Sequence, residues 1–380
     1  MSNNIKLEVE NKLDVGRMVD LLSSTYIKLI ESKLSFKSFP SVMLWGQPGV
    51  GKSQGVYQIA ERIKAKTKKE VIVVDVRLLL FNPIDLSGIP VANNEKTLAK
   101  WLKPEIFNLD PSEDIVNIIF LDEISAAPQT VQAAAYQLVL DRKIGEHALP
   151  DNCFVIAAGN RVTDKSVAYK MPKALANRFL HLNIETNFNA WVNWAVTHGI
   201  HPIVTAFLAS RPSLLNTYNS TDDSNVFATP RSWEMVSNIL NNVSTDFNSI
   251  RPLIAGLVGE GITLNLKTFF NLEFDLPKIS DIFNGKDVPI KKEAPWLYAV
   301  VSSMVHYVQN NEISVENLAN SLNFARKLPN EFKIFLLKNY FTNNKKYEKR
   351  LRQLILDPSL VRFASEISTM SGDGDGIFRK

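Results

Sequence analysis

One glycine-rich stretch limits what this chain can fold into more than any other feature. It fits the phosphate-binding pattern G-x-x-x-x-G-K-[S/T]. A short apolar segment of strand type, 41–45, precedes it, and apolar residues at helical spacing follow it between 56 and 63. The order strand, glycine-rich turn, helix aims backbone N–H groups and a helix N-terminus at phosphates, and glycines allow the close approach.

The pattern therefore predicts a nucleotide site in which Lys52 reaches the terminal phosphates and the Ser53 hydroxyl ligates Mg²⁺. The expected nucleotide-binding residues are Gly46, Gln47, Pro48, Gly49, Val50, Gly51, Lys52, Ser53 and Gln54. A chance glycine-rich turn is the alternative, and the flanking strand and helix argue against it.

A pair of acidic residues supplies the second half of such a site. The nearly continuous apolar run 115–121 is typical of a parallel strand buried on both faces, and it ends in Asp122-Glu123. Carboxylates at the carboxyl end of such a strand lie where open α/β sheets bind ligands. We expect Asp122 to hold Mg²⁺ together with Ser53, and Glu123 to activate the attacking water as a general base. Two acids alone would more often cap a helix, but the upstream phosphate loop favours the catalytic interpretation.

A third apolar segment, 152–158, ends in Gly159-Asn160. The Asn160 amide is placed to orient the attacking water between Glu123 and the γ-phosphate, and a plain turn residue is the alternative. Cys153 lies in this strand and is the only cysteine of the chain, so we expect it to pack as a small apolar side chain. A disulfide within the chain and a multi-cysteine metal site are excluded.

These residues together resemble the AAA+ superfamily and, within it, the MoxR-like branch, from about Asp14 to about Val243. The resemblance goes beyond a generic phosphate loop in four segments. They are Leu121-Asp122-Glu123-Ile124 with the helix-like 125–134 after it, Ala157-Ala158-Gly159-Asn160, Met171-Pro172-Lys173-Ala174-Leu175-Ala176-Asn177-Arg178-Phe179, and Ala228-Thr229-Pro230-Arg231-Ser232-Trp233.

The resemblance implies roles for three of these residues. Asn160 corresponds to the first sensor, Arg178 to the arginine that reaches a neighbour's nucleotide, and Arg231 to the second sensor on a helical lid. A local salt bridge is the alternative for Arg178, with Arg161 and Arg211 as rival candidates. For Arg231 the alternative is a solvated surface arginine. Independently of the family, Thr229 is a plausible N-cap and Pro230 a favoured first helical residue, which places Arg231 in a first turn.

Two insertions also resemble this branch. One runs from 82 to 90 and on to 101–104, where prolines and a glycine argue against a plain helix. The other, 142–150, resembles the hairpin before the first sensor. The resemblance implies that both face the axis or upper surface of a ring, and ordinary surface loops are the alternative.

The expected fold class is α/β: an AAA+ parallel sheet flanked by helices, followed by a helical lid and a helical C-terminal extension. We expect an αβ nucleotide-binding domain at 1–186, the lid at 187–276 with a polar loop at 216–225, the extension at 277–370 and a flexible tail at 371–380. The basic cluster 345–352 is expected to be a solvated helix face.

The resemblance implies an ATPase that uses ATP and Mg²⁺ in a ring homo-oligomer, a hexamer, and remodels a protein client. Clients with a von Willebrand factor A domain or a metal centre are implied in the same way, and so is ATP rather than GTP. A nucleic-acid motor or defence-system ATPase is an alternative, and a poorly hydrolysing scaffold is another.

Nucleic acid is not an expected partner, because the 43 basic and 39 acidic residues give a net charge of only +4. The polar start of the sequence and the absence of a run of ~20 apolar residues argue against a signal peptide and a membrane span. We therefore expect a soluble, cytoplasmic protein.

Overall fold

The computed structural model of the chain describes residues 12–164, 169, 171–222, 224–243, 246–271, 276–343, 347 and 351. These residues form two compact units. The first comprises the described residues of Met1–Thr186 together with Tyr218–Ser224. The second comprises Asn187–Thr217 and the described residues of Asn225–Lys380.

Strands and helices alternate along the first unit. In chain order they are β1 (Lys12–Leu13), α1 (Val15–Glu31), β2 (Ser41–Trp45), α2 (Lys52–Thr67), β3 (Glu70–Arg77), α3 (Pro83–Ser87), β4 (Ile89–Ala92), β5 (Ala99–Leu102), β6 (Ile115–Asp122), α4 (Gln129–Asp141), β7 (Lys143–Ile144), β8 (His147–Ala148), β9 (Cys153–Gly159), α5 (Lys173–Ala176) and β10 (Phe179–Ile184).

Within the described residues, six strands form one sheet in the order β1-β10-β2-β9-β6-β3, and every neighbouring pair is parallel. The carboxyl ends of all six strands therefore meet at one edge of the sheet. The register pairs Trp45 with Gly159, and Leu121 with Ala157. The loops after β2, β6 and β9, where the predicted site residues begin, are thereby brought side by side.

The sheet is buried on both faces, which explains the near-continuous apolar runs in its central strands. Every residue of β9 is buried, as are six of the eight in β6. Helices α1 and α2 cover one face, where Met18, Val56 and Phe120 belong to one apolar cluster. Helix α4 covers the other face, where Val131 and Leu121 belong to a second cluster. The predicted parallel sheet flanked by helices is confirmed.

Both insertions form antiparallel hairpins. The first consists of α3 and the β4–β5 hairpin, in which Ile89 pairs with Leu102. The second is the short β7–β8 hairpin. The two touch each other: the His147 ring Nε2 lies 2.8 Å from the Trp101 carbonyl oxygen. Arg142, grouped with the second hairpin by sequence, is instead buried at 6 % exposure, and its Nη2 donates to the Phe39 carbonyl 3.1 Å away.

The described part of the second unit contains helices and no strands. They are α6 (Phe188–Thr197), α7 (Pro202–Ser210), α8 (Pro230–Asn242), α9 (Phe247–Val258), α10 (Glu260–Asn271), α11 (Ile279–Phe283), α12 (Ala294–Asn310), α13 (Val315–Ala325) and α14 (Asn330–Asn343). Two of them begin at side-chain caps, and Thr229 is the one predicted above from the sequence. The Thr229 and Ser314 hydroxyls accept from the backbone N–H groups of Ser232 and Asn317, each at 3.1 Å.

One apolar cluster runs through the helices of the second unit, from Trp191 and Trp233 to Val300 and Leu336. The predicted lid (187–276) and extension (277–370) thus contribute to the same core, and the boundary between them stays a prediction. Helices α7 and α12 also share a buried hydrogen bond of 3.3 Å between the Thr205 and Ser302 hydroxyls.

The polar stretch 216–225 has no helix or strand among its described residues. Part of it, Tyr218–Ser224, belongs to the first unit, where the Tyr218 hydroxyl donates to the Asp164 carbonyl oxygen. Most of the basic cluster 345–352 and the whole tail 371–380 lie outside the described residues.

Candidate functional site

The glycine-rich loop connects the central strand β2 to helix α2. Gly49 and Gly51 have φ angles of +76° and +104°, which other residues rarely adopt. Gly46 is needed for space, because a Cβ atom there would lie 2.6 Å from the Ile184 carbonyl oxygen. Within the loop, Gln47, Pro48 and Gly49 are half-buried and Val50 packs into the core, whereas Gln54 is exposed on the first turn of α2. The loop therefore presents backbone N–H groups and a helix N-terminus at the carboxyl edge of the sheet.

The Lys52 side chain lies inside this loop and is only 9 % exposed. Its Nζ donates to the carbonyl oxygens of Gly46 at 2.6 Å and Gln47 at 3.0 Å, and to Asn160 Oδ1 at 3.2 Å. One ammonium group thus joins the loop after β2 to the loop after β9. Such a cation, held beside a helix N-terminus, favours a polyanion such as a chain of phosphates.

Ser53 and Asp122 form the oxygen pair that the sequence predicts. The Ser53 hydroxyl donates to Asp122 Oδ2 at 2.8 Å. A hydroxyl and a carboxylate are the hard oxygen ligands that Mg²⁺ takes, with water and nucleotide phosphates completing its shell. These two side chains therefore fit a Mg²⁺ site. No group of three or more His, Cys, Asp or Glu side chains in the described part of the chain could hold a metal by itself.

Glu123 has an unusual backbone. Its φ angle is +57°, a left-handed conformation that costs a non-glycine residue of order 1 kcal/mol or more. The conformation is held locally: the Glu123 N–H donates to Asp122 Oδ1 at 2.9 Å, and its carbonyl accepts from Ala126 N–H at 2.9 Å. The residue is exposed, and it directly follows Asp122 of the Ser53–Asp122 pair. A strained residue with an exposed carboxylate at this place is suited to accept a proton from water.

Asn160 is positioned by a residue that the sequence reasoning missed. Its backbone N–H donates to the Ser125 hydroxyl at 2.8 Å, and Ser125 is 1 % exposed. The same hydroxyl would lie 2.7 Å from a Cβ atom at position 159, so Gly159 allows the close approach. The sequence shows Ser125 two residues after Glu123, but its contact with Asn160 exists only across the two neighbouring strands.

Arg178 follows α5, a four-residue helix, at the entrance of β10. It is half-buried: its Nη1 donates to the Ala174 carbonyl oxygen at 2.8 Å, and its guanidinium lies 5.0 Å from the centre of the Tyr136 ring. Among the described residues, Arg178 is therefore held by a carbonyl oxygen and an aromatic ring, and not by the local salt bridge that is the alternative from the sequence. Of the rivals, Arg161 is half-buried beside the Asn160 loop, and Arg211 is exposed over the Phe207 ring in the second unit.

Arg231 lies in the first turn of α8, in the second unit, and its side chain is exposed. The structure therefore brings five predicted residues together at one edge of the first unit's sheet: Lys52, Ser53, Asp122, Glu123 and Asn160. Arg178 belongs to the same unit, and Arg231 to the other.

One further titratable group lies a helical turn beyond Ser53. The Tyr57 hydroxyl donates to Asp75 Oδ2 at 3.3 Å, and burial together with this carboxylate raises the pKa of Tyr57. Tyr57 therefore stays a neutral hydrogen-bond donor over the physiological range.

None of the helices in the described part of the chain is both long and apolar enough to cross a membrane.

A known protein family matches the segment that carries this site. Residues 41–181 match the family described as "ATPase family associated with various cellular activities (AAA)". The matched segment begins at β2 and ends in β10, and it contains the glycine-rich loop, Asp122, Glu123, Asn160 and Arg178. It spans less than half of the chain and leaves out the second unit.

Several solved structures are similar to this chain at low sequence identity. A candidate ATPase from Cytophaga hutchinsonii is 16 % identical, with 92 % of this chain and 90 % of that one covered and a TM-score of 0.32. PCH-2 of C. elegans is 14 % identical over 67 % and 66 %, with a TM-score of 0.34. A point mutant of Thermotoga maritima RuvB is 16 % identical over 80 % and 87 %, also at 0.34. No curated protein matches the sequence.

Proposed function

We propose that this chain, which carries an AAA ATPase domain at residues 41–181, is a MoxR-like motor that hydrolyses Mg-ATP at the subunit interfaces of a homo-oligomeric ring, a hexamer, and thereby remodels a protein client. The observation that carries the proposal is the convergence of Lys52, Ser53, Asp122, Glu123 and Asn160 at the carboxyl edge of one parallel sheet. A scaffold that only binds nucleotide would not need the strained Glu123.

The binding half of the proposed site is the glycine-rich loop. Its N–H groups and the N-terminus of α2 hold the phosphates, and Lys52 exchanges its bonds to Gly46 and Gln47 for phosphate oxygens. Ser53 and Asp122 would hold Mg²⁺, which when bound neutralises phosphate charge. Their mutual hydrogen bond keeps both oxygens at the place where that ion is needed.

The hydrolytic half consists of Glu123 and Asn160. In this proposal the Glu123 carboxylate takes the proton of the attacking water, and the Asn160 amide orients that water toward the γ-phosphate. Lys52 contacts Asn160 Oδ1 in the described structure, so the lysine that binds phosphate and the amide that orients water are already neighbours. Binding and hydrolysis would therefore be coupled within one site.

Two arginines outside this cluster have proposed roles. We propose that Arg178 reaches the γ-phosphate bound to the adjacent subunit and that Arg231 senses the nucleotide from the helical lid. The position of Arg178 supports this role, because the residue is half-buried and its guanidinium is bonded to the preceding helix α5 and not to a carboxylate. Its bond to the Ala174 carbonyl is a single neutral-acceptor bond, which a phosphate can replace.

The client surface is assigned to the first insertion. Large apolar side chains are exposed in this insertion, at fractions from 51 % to 69 %: Ile84, Ile89, Leu98 and Leu102. Leu80, just before the insertion, is 74 % exposed. Such a concentration of exposed apolar side chains is unusual on a monomer and typical of a protein-binding surface. We propose that a protein client binds this surface. The family resemblance implies that such a client carries a von Willebrand factor A domain or a metal centre.

The first test is phosphate release from Mg-ATP per chain over a range of protein concentrations. A rate per chain that rises with concentration, in step with ring formation by sizing, is the expected result. Glu123→Gln should lower that rate by about 10²-fold or more while nucleotide binding persists. A monomer with full activity at every concentration would exclude a shared site, and activity that needs DNA or RNA would favour a nucleic-acid motor.

A further inference from the structure

A hydrogen-bonded pair of rings, Trp45 and His181, lies between the nucleotide loop and the segment that carries Arg178. Trp45 is the last residue of β2 and directly precedes Gly46, and His181 is in the neighbouring strand β10. The Trp45 indole N–H donates to His181 Nδ1 at 2.8 Å. The two rings are nearly parallel, with 12° between their planes and 6.0 Å between their centres. The site described above makes no use of either side chain.

The partners of His181 fix its tautomer. Its other ring nitrogen, Nε2, lies 2.8 Å from the Ala176 carbonyl oxygen. An indole N–H only donates and a carbonyl only accepts, so both bonds exist together only when the imidazole is neutral and carries its proton on Nε2. In this form His181 accepts from Trp45 on one side and donates to Ala176 on the other.

The bond to Ala176 matters because Arg178 lies just after α5. Ala176 is the last residue of this four-residue helix, which is too short to be stable by itself. Leu175 anchors α5 in the core, but an apolar contact does not set a direction. The His181 bond fixes the carbonyl at the end of the helix, two residues before Arg178. The Arg178 guanidinium bonds back to the same helix at Ala174.

We infer that His181 is a positioning residue that holds Arg178 ready for the adjacent subunit, and that it takes its own orientation from Trp45 at the base of the nucleotide loop. This inference rests on the proposed action of Arg178 between subunits. It goes beyond that proposal, because it joins the loop that binds a subunit's own nucleotide to the arginine which that subunit presents to its neighbour.

Three substitutions separate the hydrogen bonds from the packing. His181→Phe keeps a ring and removes both bonds, Trp45→Phe keeps a ring and removes the donor, and His181→Gln retains an amide that can donate and accept. We expect His181→Phe to lower kcat by about tenfold, with the affinity for a fluorescent ATP analogue within about twofold of the wild type. His181→Gln should recover most of the rate. His198→Phe, at an exposed histidine stacked on Trp194, is the matched control and should change neither quantity.

Rings assembled from two variants show whether His181 acts on the nucleotide site of its own subunit or on that of the neighbour. A Glu123→Gln chain cannot hydrolyse ATP but presents an intact Arg178 to its neighbour. We therefore expect an excess of Glu123→Gln chains to restore the rate of ATP hydrolysis per His181→Phe chain toward the wild-type value. Arg178→Ala is mixed with the same Glu123→Gln chain in parallel, and sizing confirms that each mixture forms rings.

The two mixtures distinguish the possible failures. Rescue of both variants supports the inference. Rescue of Arg178→Ala but not of His181→Phe would overturn it and leave the proposed function standing, because His181 would then act inside its own site. A wild-type kcat for His181→Phe alone would also overturn it. Failure to rescue Arg178→Ala would refute the action of Arg178 between subunits and the inference with it.

Discussion

Single side chains at the edge of the sheet set the geometry of the candidate site, and Ser125 is the clearest case. Ser125→Ala removes the acceptor of the Asn160 N–H and leaves a part-buried donor unpaired. We expect the free energy of unfolding to fall by about 1–3 kcal/mol and kcat to fall by about tenfold, with nucleotide affinity nearly unchanged. Denaturant unfolding and steady-state hydrolysis measure the two effects.

Ser41→Ala provides the matched control for that substitution. Ser41 is also 1 % exposed and donates to the Val139 carbonyl at 2.9 Å, but it lies at the opposite end of β2 from the loop. Its loss should reduce stability without a change in kcat. If both variants lowered kcat equally, the effect of Ser125 would be a general loss of stability and not the position of Asn160.

The backbone of Glu123 gives a second prediction for a single residue. Glycine adopts a φ of +57° without the cost that glutamate has, so Glu123→Gly should be more stable than Glu123→Gln by about 1 kcal/mol. Both variants should lose hydrolysis. Thermal unfolding of the two side by side measures the difference. A Glu123→Gly protein no more stable than Glu123→Gln would show that the left-handed backbone costs no more than the conformational freedom that glycine adds to the unfolded chain.

At the scale of elements, the contact between the two insertions can be tested at one glycine. Gly145 has a φ of +54°, and a Cβ atom there would lie 2.6 Å from the Ser87 carbonyl oxygen. Gly145→Ala should therefore separate the β7–β8 hairpin from α3 and increase amide exchange in α3, β4 and β5. Basal ATP hydrolysis should change little. Gly199 has a similar φ of +70°, and no atom of the described residues lies within 4 Å of where its Cβ would be. Gly199→Ala therefore measures the backbone cost alone.

The strands and helix caps were predictable because their signals are local. The apolar runs at 41–45 and 115–121 and the cap at Thr229 are read from neighbouring residues and match the structure. Contacts between strands were not predictable, because the sequence does not say which strands are neighbours. The bonds Ser125–Asn160 and Trp45–His181 connect residues 35 and 136 positions apart. The return of Tyr218–Ser224 to the first unit is of the same kind.

At the scale of the whole molecule, the two units have separate apolar cores, so we expect two unfolding transitions with different responses to acid. His201 lies in the second unit, where its Nδ1 accepts from the Ile203 N–H at 3.2 Å and caps α7. Burial, with a smaller contribution from the charge of His306, lowers the pKa of His201 from 6.5 to about 4. The folded unit therefore keeps this ring neutral where the unfolded chain protonates it.

This difference makes the second unit less stable in acid. Between pH 6.5 and about 4 the unfolded state binds more protons, so stability is complete above this window and declines as the pH falls through it. The decline should approach about 3 kcal/mol and appear in the transition of the second unit. His201→Asn can still accept the Ile203 N–H but does not titrate, so its unfolding free energy should depend less on pH over the same window. Calorimetry of both proteins from pH 7 to 4 is the measurement. An unchanged pH dependence in His201→Asn would assign the acid sensitivity to other groups of that unit.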